Sequence, residues 1–159
     1  MDIEQATVAD VDAVVDCWID LAADQQQHGS RLEATPNRKP ATDTVARHVV
    51  MGGVLVAREE TILGFVMFHS DEGTYSQQSE TGEIVNLYVR PGVRNCGIGS
   101  ELLAAAEAEL ASDGVETVTL DVLAANEAAR QFYDRHGYDS HRIEMAKQIE
   151  TNRHSKEKE

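Results

Sequence analysis

The 159 residues predict a single mixed α/β domain, a hairpin half followed by a β-α-β-α-β half. Three observations carry this. The length suits one domain. Apolar spacing changes along the chain between about 3.6 residues, the mark of a helix, and 2, the mark of a strand. Glycines fall where one pattern gives way to the next, at Gly52-Gly53, Gly97, Gly99, Gly114 and Gly137.

Ile3 to Ala6 alternates weakly and reads as a short strand. Thr7-x-x-Asp10 resembles a capping box with Asp in place of Glu. Val11, Val14, Val15, Trp18, Leu21 and Ala22 then form the stripe of an amphipathic helix over Val8 to Gln27. His28 to Pro40 holds Gly29, Pro36 and Pro40 and reads as loop; Asp43 to Met51 reads as a short second helix. Val54 to Ala57 and Ile62 to His69 are strands of a hairpin turning at Glu59-Glu60-Thr61. Ser70 to Gly82 is a polar loop. Glu83 to Val89 is a strand feeding a Gly-rich turn, Pro91 to Gly99. Ser100 to Ser112 is a helix with Gly114 near its C-cap. Glu116 to Val122 is a strand, Asn126 to His136 a helix ended by Gly137, and Ser140 to Lys147 a last strand. The domain is assigned to residues 1–147, and Gln148 to Glu159, with one apolar residue, to a frayed tail.

Charge excludes several roles. With 28 Asp plus Glu against 14 Lys plus Arg, the net charge is −14. Such a chain is a poor non-specific partner for nucleic acid or an anionic membrane. No apolar run approaches the roughly 20 residues of a membrane helix. Met1-Asp2-Ile3-Glu4 lacks the basic start of a signal peptide, and Cys17 and Cys96 form neither C-x-x-C nor a zinc spacing. A reducing cytoplasm is the default compartment, with no metal. The acidity itself has two readings. One is the surface of a halophilic cytoplasmic protein, since concentrated salt screens carboxylate repulsion; the other is a cleft that attracts cations.

The informative stretch runs from Glu83 to Ser100, strand to Gly-bearing turn to helix. The first turn of a helix leaves backbone N–H groups unpaired at the positive end of the macrodipole. Gly97 and Gly99 would let an anion reach those amides, which suits phosphate or pyrophosphate. A Walker A loop is excluded because Ile98 stands where its Lys is required, and a Rossmann fingerprint because position 102 is Leu. No G-x-S-x-G elbow is present. A plain strand-to-helix turn is the alternative.

Arg94-x-x-Gly97-x-Gly99, after a Val-x-Pro strand end, resembles the [QR]-x-x-G-x-[GA] pyrophosphate loop of the GNAT superfamily of N-acetyltransferases. Asn126 to Tyr138 is similar to that family's N-x-x-A-x-x-F-Y-x-x-x-G-[FY] segment, 32 residues further on and in the same order. The resemblance covers residues 3–147, most strongly 83–138. It implies a GNAT-like fold: a central, mostly antiparallel sheet, splayed strands at the cofactor site and helices on both faces. It also implies acetyl-CoA as co-substrate and direct transfer to an amine in a ternary complex.

Carried over residue by residue, the resemblance implies that the amides of Arg94, Asn95, Cys96, Gly97, Ile98, Gly99 and Ser100 hold the pyrophosphate. It implies that the strand with Leu87, Tyr88 and Val89 splays from Glu116–Val122 and pairs with the pantetheine arm. Asn126 would bond that arm, or cap its own helix. Tyr133 is the implied general acid and Glu83, eleven residues before Arg94, the implied general base. Strand alternation places Asn86 and Tyr88 on the opposite face from Glu83; Tyr88 is the alternative carrier of an ordered water. Trp18 reads as helix core, His69 and His141 as structural histidines, Cys96 as incidental, and Tyr75 as a candidate lining of the amine pocket. The acceptor is a small-molecule, peptide or protein amine. Family members close with two strands after the last helix and this chain has room for one, so the far wall is either open or completed by a second subunit as a homodimer. A catalytically silent acyl-CoA sensor on the same fold is the alternative function, and a pure interaction module leaves the loop without a purpose.

Overall fold

A computed structural model of the chain describes residues 1–71 and 75–150; part of the polar loop expected after Ser70, and the tail beyond Glu150, lie outside them. The strands are β1 (Asp2–Gln5), β2 (Val54–Arg58), β3 (Ile62–Ser70), β4 (Thr81–Val89) and β5 (Thr117–Leu120). The helices are α1 (Val11–Gln26), α2 (Arg38–Val50), α3 (Ile98–Ser112) and α4 (Glu127–Arg135). The sheet runs in the order β1-β2-β3-β4-β5. Each pair is antiparallel except β4 and β5, which are parallel because α3 crosses between them.

Strands β2 and β3 sit in the middle and read as near-continuous apolar runs because both of their faces are covered. On one face Phe65, Met67 and Tyr88 pack under α1 and α2, against Val14, Val15 and Val45. On the other, Val66, Phe68 and Ile84 pack under α3, against Leu102, Leu103 and Leu110, with Phe132 and Tyr133 of α4 closing the margin. Helices on both faces of a mostly antiparallel sheet are the arrangement the sequence implies.

The start of α1 is fixed by local chemistry. The Asp10 carboxylate accepts the Thr7 backbone N–H at 2.8 Å and the Thr7 hydroxyl at 3.2 Å. Arg58 at the end of β2 donates to Asp10 at 2.8 Å and to Glu4 at 2.5 Å, tying β1, β2 and α1 together.

Three expectations are corrected. Helix α2 begins at Arg38 rather than Asp43, after a 3-10 turn over Thr35–Asn37. Pro36 and Pro40 stand in first turns, where the N–H that proline lacks has no intrahelical partner to lose. The strand expected over Ser140–Lys147 is absent: these residues have no regular structure. Ile143 is 86% and Met145 89% exposed, so their alternation finds neither a ladder nor a face to bury.

The third correction matters most for function. Met67 faces Asn86 across the β3–β4 ladder, and the next residue, Phe68, faces Ile84. Val85 is therefore an extra residue, a β-bulge, and one inserted residue resets the alternation. Asn86 and Tyr88 consequently share Glu83's face instead of opposing it. Tyr88 lies in the core under α1, and Asn86 lines a hollow beside α1. Glu83 pairs with His69, whose ring meets that of His48 from α2 at 5.5 Å.

Candidate functional site

The sheet opens beside the bulge. Strands β4 and β5 pair from Thr81↔Thr117 to Ile84↔Leu120 and no further. Beyond Ile84, β4 continues through Leu87, Tyr88 and Val89, and among the described residues no strand lies on its β5 side. This is the expected splay, and it leaves an edge of backbone groups available to an extended ligand arm. The Val89 carbonyl is already taken by Arg94 Nε at 2.8 Å.

At the end of this edge the chain turns into α3 through two left-handed residues, Asn95 with φ +63° and Gly97 with φ +83°. Gly97 is the N-cap of α3. The Arg94 amide, expected among the anion's donors, already donates to the Pro91 carbonyl at 3.5 Å. After it, the amides of Asn95, Cys96, Gly97, Ile98, Gly99 and Ser100 donate to no backbone carbonyl among the described residues, and the next to find one is that of Glu101, which donates to the Gly97 carbonyl at 3.1 Å. A left-handed turn followed by a helix start turns successive N–H groups toward one concavity, a nest for an anion.

Arg94 opens this loop, and its side chain is directed toward α1. Its guanidinium donates to Asp24 of α1 at 3.0 Å and lies 5.4 Å from the centre of the Tyr88 ring. Arg90 donates to the Ile62 carbonyl at 2.7 Å and faces Asp20 at 3.9 Å. Both cations of the segment are thus offset by α1 acids, so the attraction for an anion rests on the amides.

The second signature segment flanks the loop. Asn126 caps α4, its Oδ1 accepting the Ala129 N–H at 3.2 Å, which leaves the amide NH₂ for another partner. His136 Nδ1 lies 2.7 Å from the Phe132 carbonyl, so it carries the proton, and Nε2 accepts the Ser100 hydroxyl at 2.9 Å. Ser100 therefore offers a ligand its amide rather than its hydroxyl proton. Phe132 and Tyr133 meet edge to face with ring centres 5.2 Å apart. Burial pushes the Tyr133 phenol up to about 12, so it holds its proton throughout the physiological range. The Tyr138 hydroxyl donates to Glu107 at 2.6 Å, fixing the chain just after α4 against α3.

On the α1/α2 face, His69 stands between two carboxylates. Its Nε2 is 3.4 Å from Glu83 Oε2 and its Nδ1 is 3.5 Å from Asp71 Oδ1. Burial raises the Glu83 carboxyl above the usual range, His69 pulls it back, and Asp121 and Asp71 push it up again. A carboxyl raised in this way is better matched to taking a proton near neutral pH than a fully solvated one. The ligand atoms of His69, Asp71 and Glu83 lie within 4.8 Å of one another. The ring turns a different nitrogen to each carboxylate, so it bridges them.

Two adjoining hollows lie between α1, α2 and β4. The larger, about 220 Å³, is bounded by Trp18, Leu21, Gln25, Leu32, Val85 and Asn86; the smaller, about 180 Å³, shares Trp18 and Leu32 and reaches Pro40 and Thr44 of α2. Trp18 is thus a wall of this space as well as a packing residue. The Asn86 Oδ1 is buried without a hydrogen-bond partner. Tyr75, expected as a lining of the amine pocket, is 84% exposed and borders neither hollow. His141 is exposed, and so is Cys96, whose thiol reaches only the Arg94 carbonyl at 3.6 Å.

The model of the acetyltransferase (GNAT) family matches residues 16–138. The chain belongs to the GNAT acetyltransferase family. A mycothiol acetyltransferase of Streptomyces avermitilis is 31% identical over 102 residues, 63% of this chain and 31% of that protein. An aminoalkylphosphonate N-acetyltransferase of Salmonella typhimurium is 32% identical over 95 residues, 60% of this chain and 61% of that protein. The chain therefore spans about a third of the first relative's length and about three-fifths of the second's. Among solved structures, a GCN5-related N-acetyltransferase of Ralstonia eutropha superposes with a TM-score of 0.74 at 26% identity, covering 93% of this chain and 97% of that one. A Bacillus halodurans protein, at 22% identity, shares the fold with a TM-score of 0.81 over 94% of this chain and 99% of that one.

Within this GNAT domain the residue that sequence reasoning undervalued is His69. Its role as a neighbour of Glu83 depends on the β3–β4 register, and the loop joining those strands conceals that register. The hollow was equally hidden, because it is made by α1, the loop around Leu32 and the bulge, which are far apart in sequence. Among the described residues no helix is long and apolar enough to cross a membrane.

Proposed function

We propose that the chain is an acetyl-CoA-dependent N-acetyltransferase that acetylates a primary amine by direct attack in a ternary complex. One juxtaposition carries this reading. The unpaired edge of β4, the amide nest at Asn95–Ser100 and a raised carboxyl at Glu83 all belong to one strand and the turn that follows it.

In this reading the nest holds the pyrophosphate, and the edge around Leu87, Tyr88 and Val89 pairs with the pantetheine arm and polarises the thioester carbonyl. Asn126 contributes its free NH₂. Acetyl-CoA supplies an activated acyl group. Glu83, through water, takes the proton that an alkylammonium must lose before its nitrogen can attack. Tyr133 hydrogen-bonds the departing sulfur and gives it a proton. The second proton of the attacking nitrogen restores the phenol, so one proton is released per turnover. Calorimetric titration with acetyl-CoA tests the binding half: saturable one-to-one binding is the expected result, and no heat of binding contradicts it.

A further inference from the structure

We infer that the acceptor is a primary amine carried on a single apolar or aromatic body, seated in the paired hollows at Trp18 and Leu32. The inference rests on the acetyltransferase reading and specifies its second substrate.

The hollow meets β4 at Val85 and Asn86, where β5 has just left the sheet. Glu83 lies on the same face two to three residues away, roughly 7–10 Å along a strand, within reach of a one-water relay. An occupant of the hollow therefore presents its near end to the exposed edge of β4 and to the proton acceptor together.

The lining states what that occupant can be. It is apolar at Trp18, Leu21, Ala22, Leu32, Pro40 and Val85, and its polar groups, Gln25, Asn37, Thr44 and Asn86, are all neutral. Among the described residues no Lys or Arg borders either hollow, so a phosphonate or carboxylate seated there would find no cationic partner. Among the described residues no Asp or Glu borders them either, so the further charges of a polyamine find no partner in their lining. Size is consistent: an apolar cavity of roughly 150 Å³ holds a benzene ring, and the larger hollow has about 220 Å³. Asn86 is the neutral polar residue of the β4 wall, and its Oδ1 is buried there without a partner.

The test uses the full chain, saturating acetyl-CoA and thiol release with four probes: phenylethylamine, hexylamine, 2-aminoethylphosphonate and spermidine. Phenylethylamine or hexylamine should show kcat/KM at least tenfold above the other two. Trp18 is the sole tryptophan, so a saturable change in its fluorescence with phenylethylamine reports occupancy without turnover. The variant Leu32→Arg places a cation at a position that is 48% exposed and should fold normally. It should lower kcat/KM for phenylethylamine about tenfold while the KM for acetyl-CoA stays unchanged. Preference for 2-aminoethylphosphonate or spermidine, with no saturable fluorescence change on phenylethylamine, overturns the inference and leaves the acetyltransferase reading intact. Saturable fluorescence with no thiol release on any probe supports the hollow and counts against the enzyme reading.

Discussion

The imidazole Nε2 of His69 lies 3.4 Å from Oε2 of Glu83, on a neighbouring strand and in direct cross-strand register. That placement conditions the proposed base. Burial raises the Glu83 carboxyl, and the His69 charge is what opposes the rise. Activity that needs the carboxylate is lost as pH falls through the Glu83 pKa. Removing His69 by His69→Gln removes the opposing charge, so Glu83 titrates higher and the acidic limb of the pH–rate profile moves to higher pH. Glu83→Gln should abolish that limb and lower kcat by about 10²-fold. A His69→Gln profile superimposed on the parent's would show that the pair is not coupled in the working enzyme.

Tyr133→Phe removes one oxygen from a packed ring and keeps the edge-to-face contact with Phe132. It should lower kcat by about 10²-fold, as loss of a proton donor does, while acetyl-CoA affinity measured by calorimetry changes little. Because the phenol is raised to about 12, the parent enzyme should show no alkaline limb from this group below about pH 10. Equal kcat in parent and variant would pass the donor role to another group.

The two glycines of the loop should differ. Gly97 has φ +83°, where an added Cβ costs about 1–2 kcal/mol. Gly97→Ala should therefore distort the amide nest and weaken acetyl-CoA binding by about tenfold or more. At Gly99 a new Cβ would meet the Phe132 ring at 3.5 Å and Val89 Cγ2 at 3.8 Å, both ordinary contacts. Gly99→Ala should bind acetyl-CoA nearly as the parent does. Calorimetry on both variants checks the contrast, and equal losses would contradict it.

The motif loop was legible from sequence because its chemistry is local. The unpaired amides and the left-handed Gly97 follow from a few adjacent residues. The capping role of Asn126 is local in the same sense. What escaped was set by pairing between distant segments. Nothing near Val85 announces a bulge; the extra residue is defined only against Met67 and Phe68 of β3, and it moved Asn86 and Tyr88 to the face of Glu83. The run from Ser140 to Lys147 failed for the complementary reason. It has strand-like alternation, but Ile143 and Met145 remain exposed with no ladder beside them.

The corner where β1, β2 and α1 meet gives a stability prediction. Asp10 is held below the usual carboxylate range, chiefly by the Thr7 backbone donor and then by Arg58, against a rise from burial. A depressed carboxyl contributes stability above its unfolded pKa and loses it as pH falls through the folded one. Asp10→Asn should cost about 1 kcal/mol at neutral pH, as loss of a helix-start cap does. The Tm difference from the parent should shrink as pH falls below the usual carboxylate range. A difference that is unchanged at low pH would show that the carboxylate's charge is not the cause.

The most direct test of the account is the release of free CoA from acetyl-CoA with and without added amine, followed together with the mass of the amine. CoA release should depend on amine and saturate, matched one for one by an N-acetylated product, with no acetylated protein accumulating between. Tight acetyl-CoA binding with no amine-dependent release, across apolar, anionic and polycationic amines and peptide amines, would contradict it and favour a silent acyl-CoA sensor on the same fold.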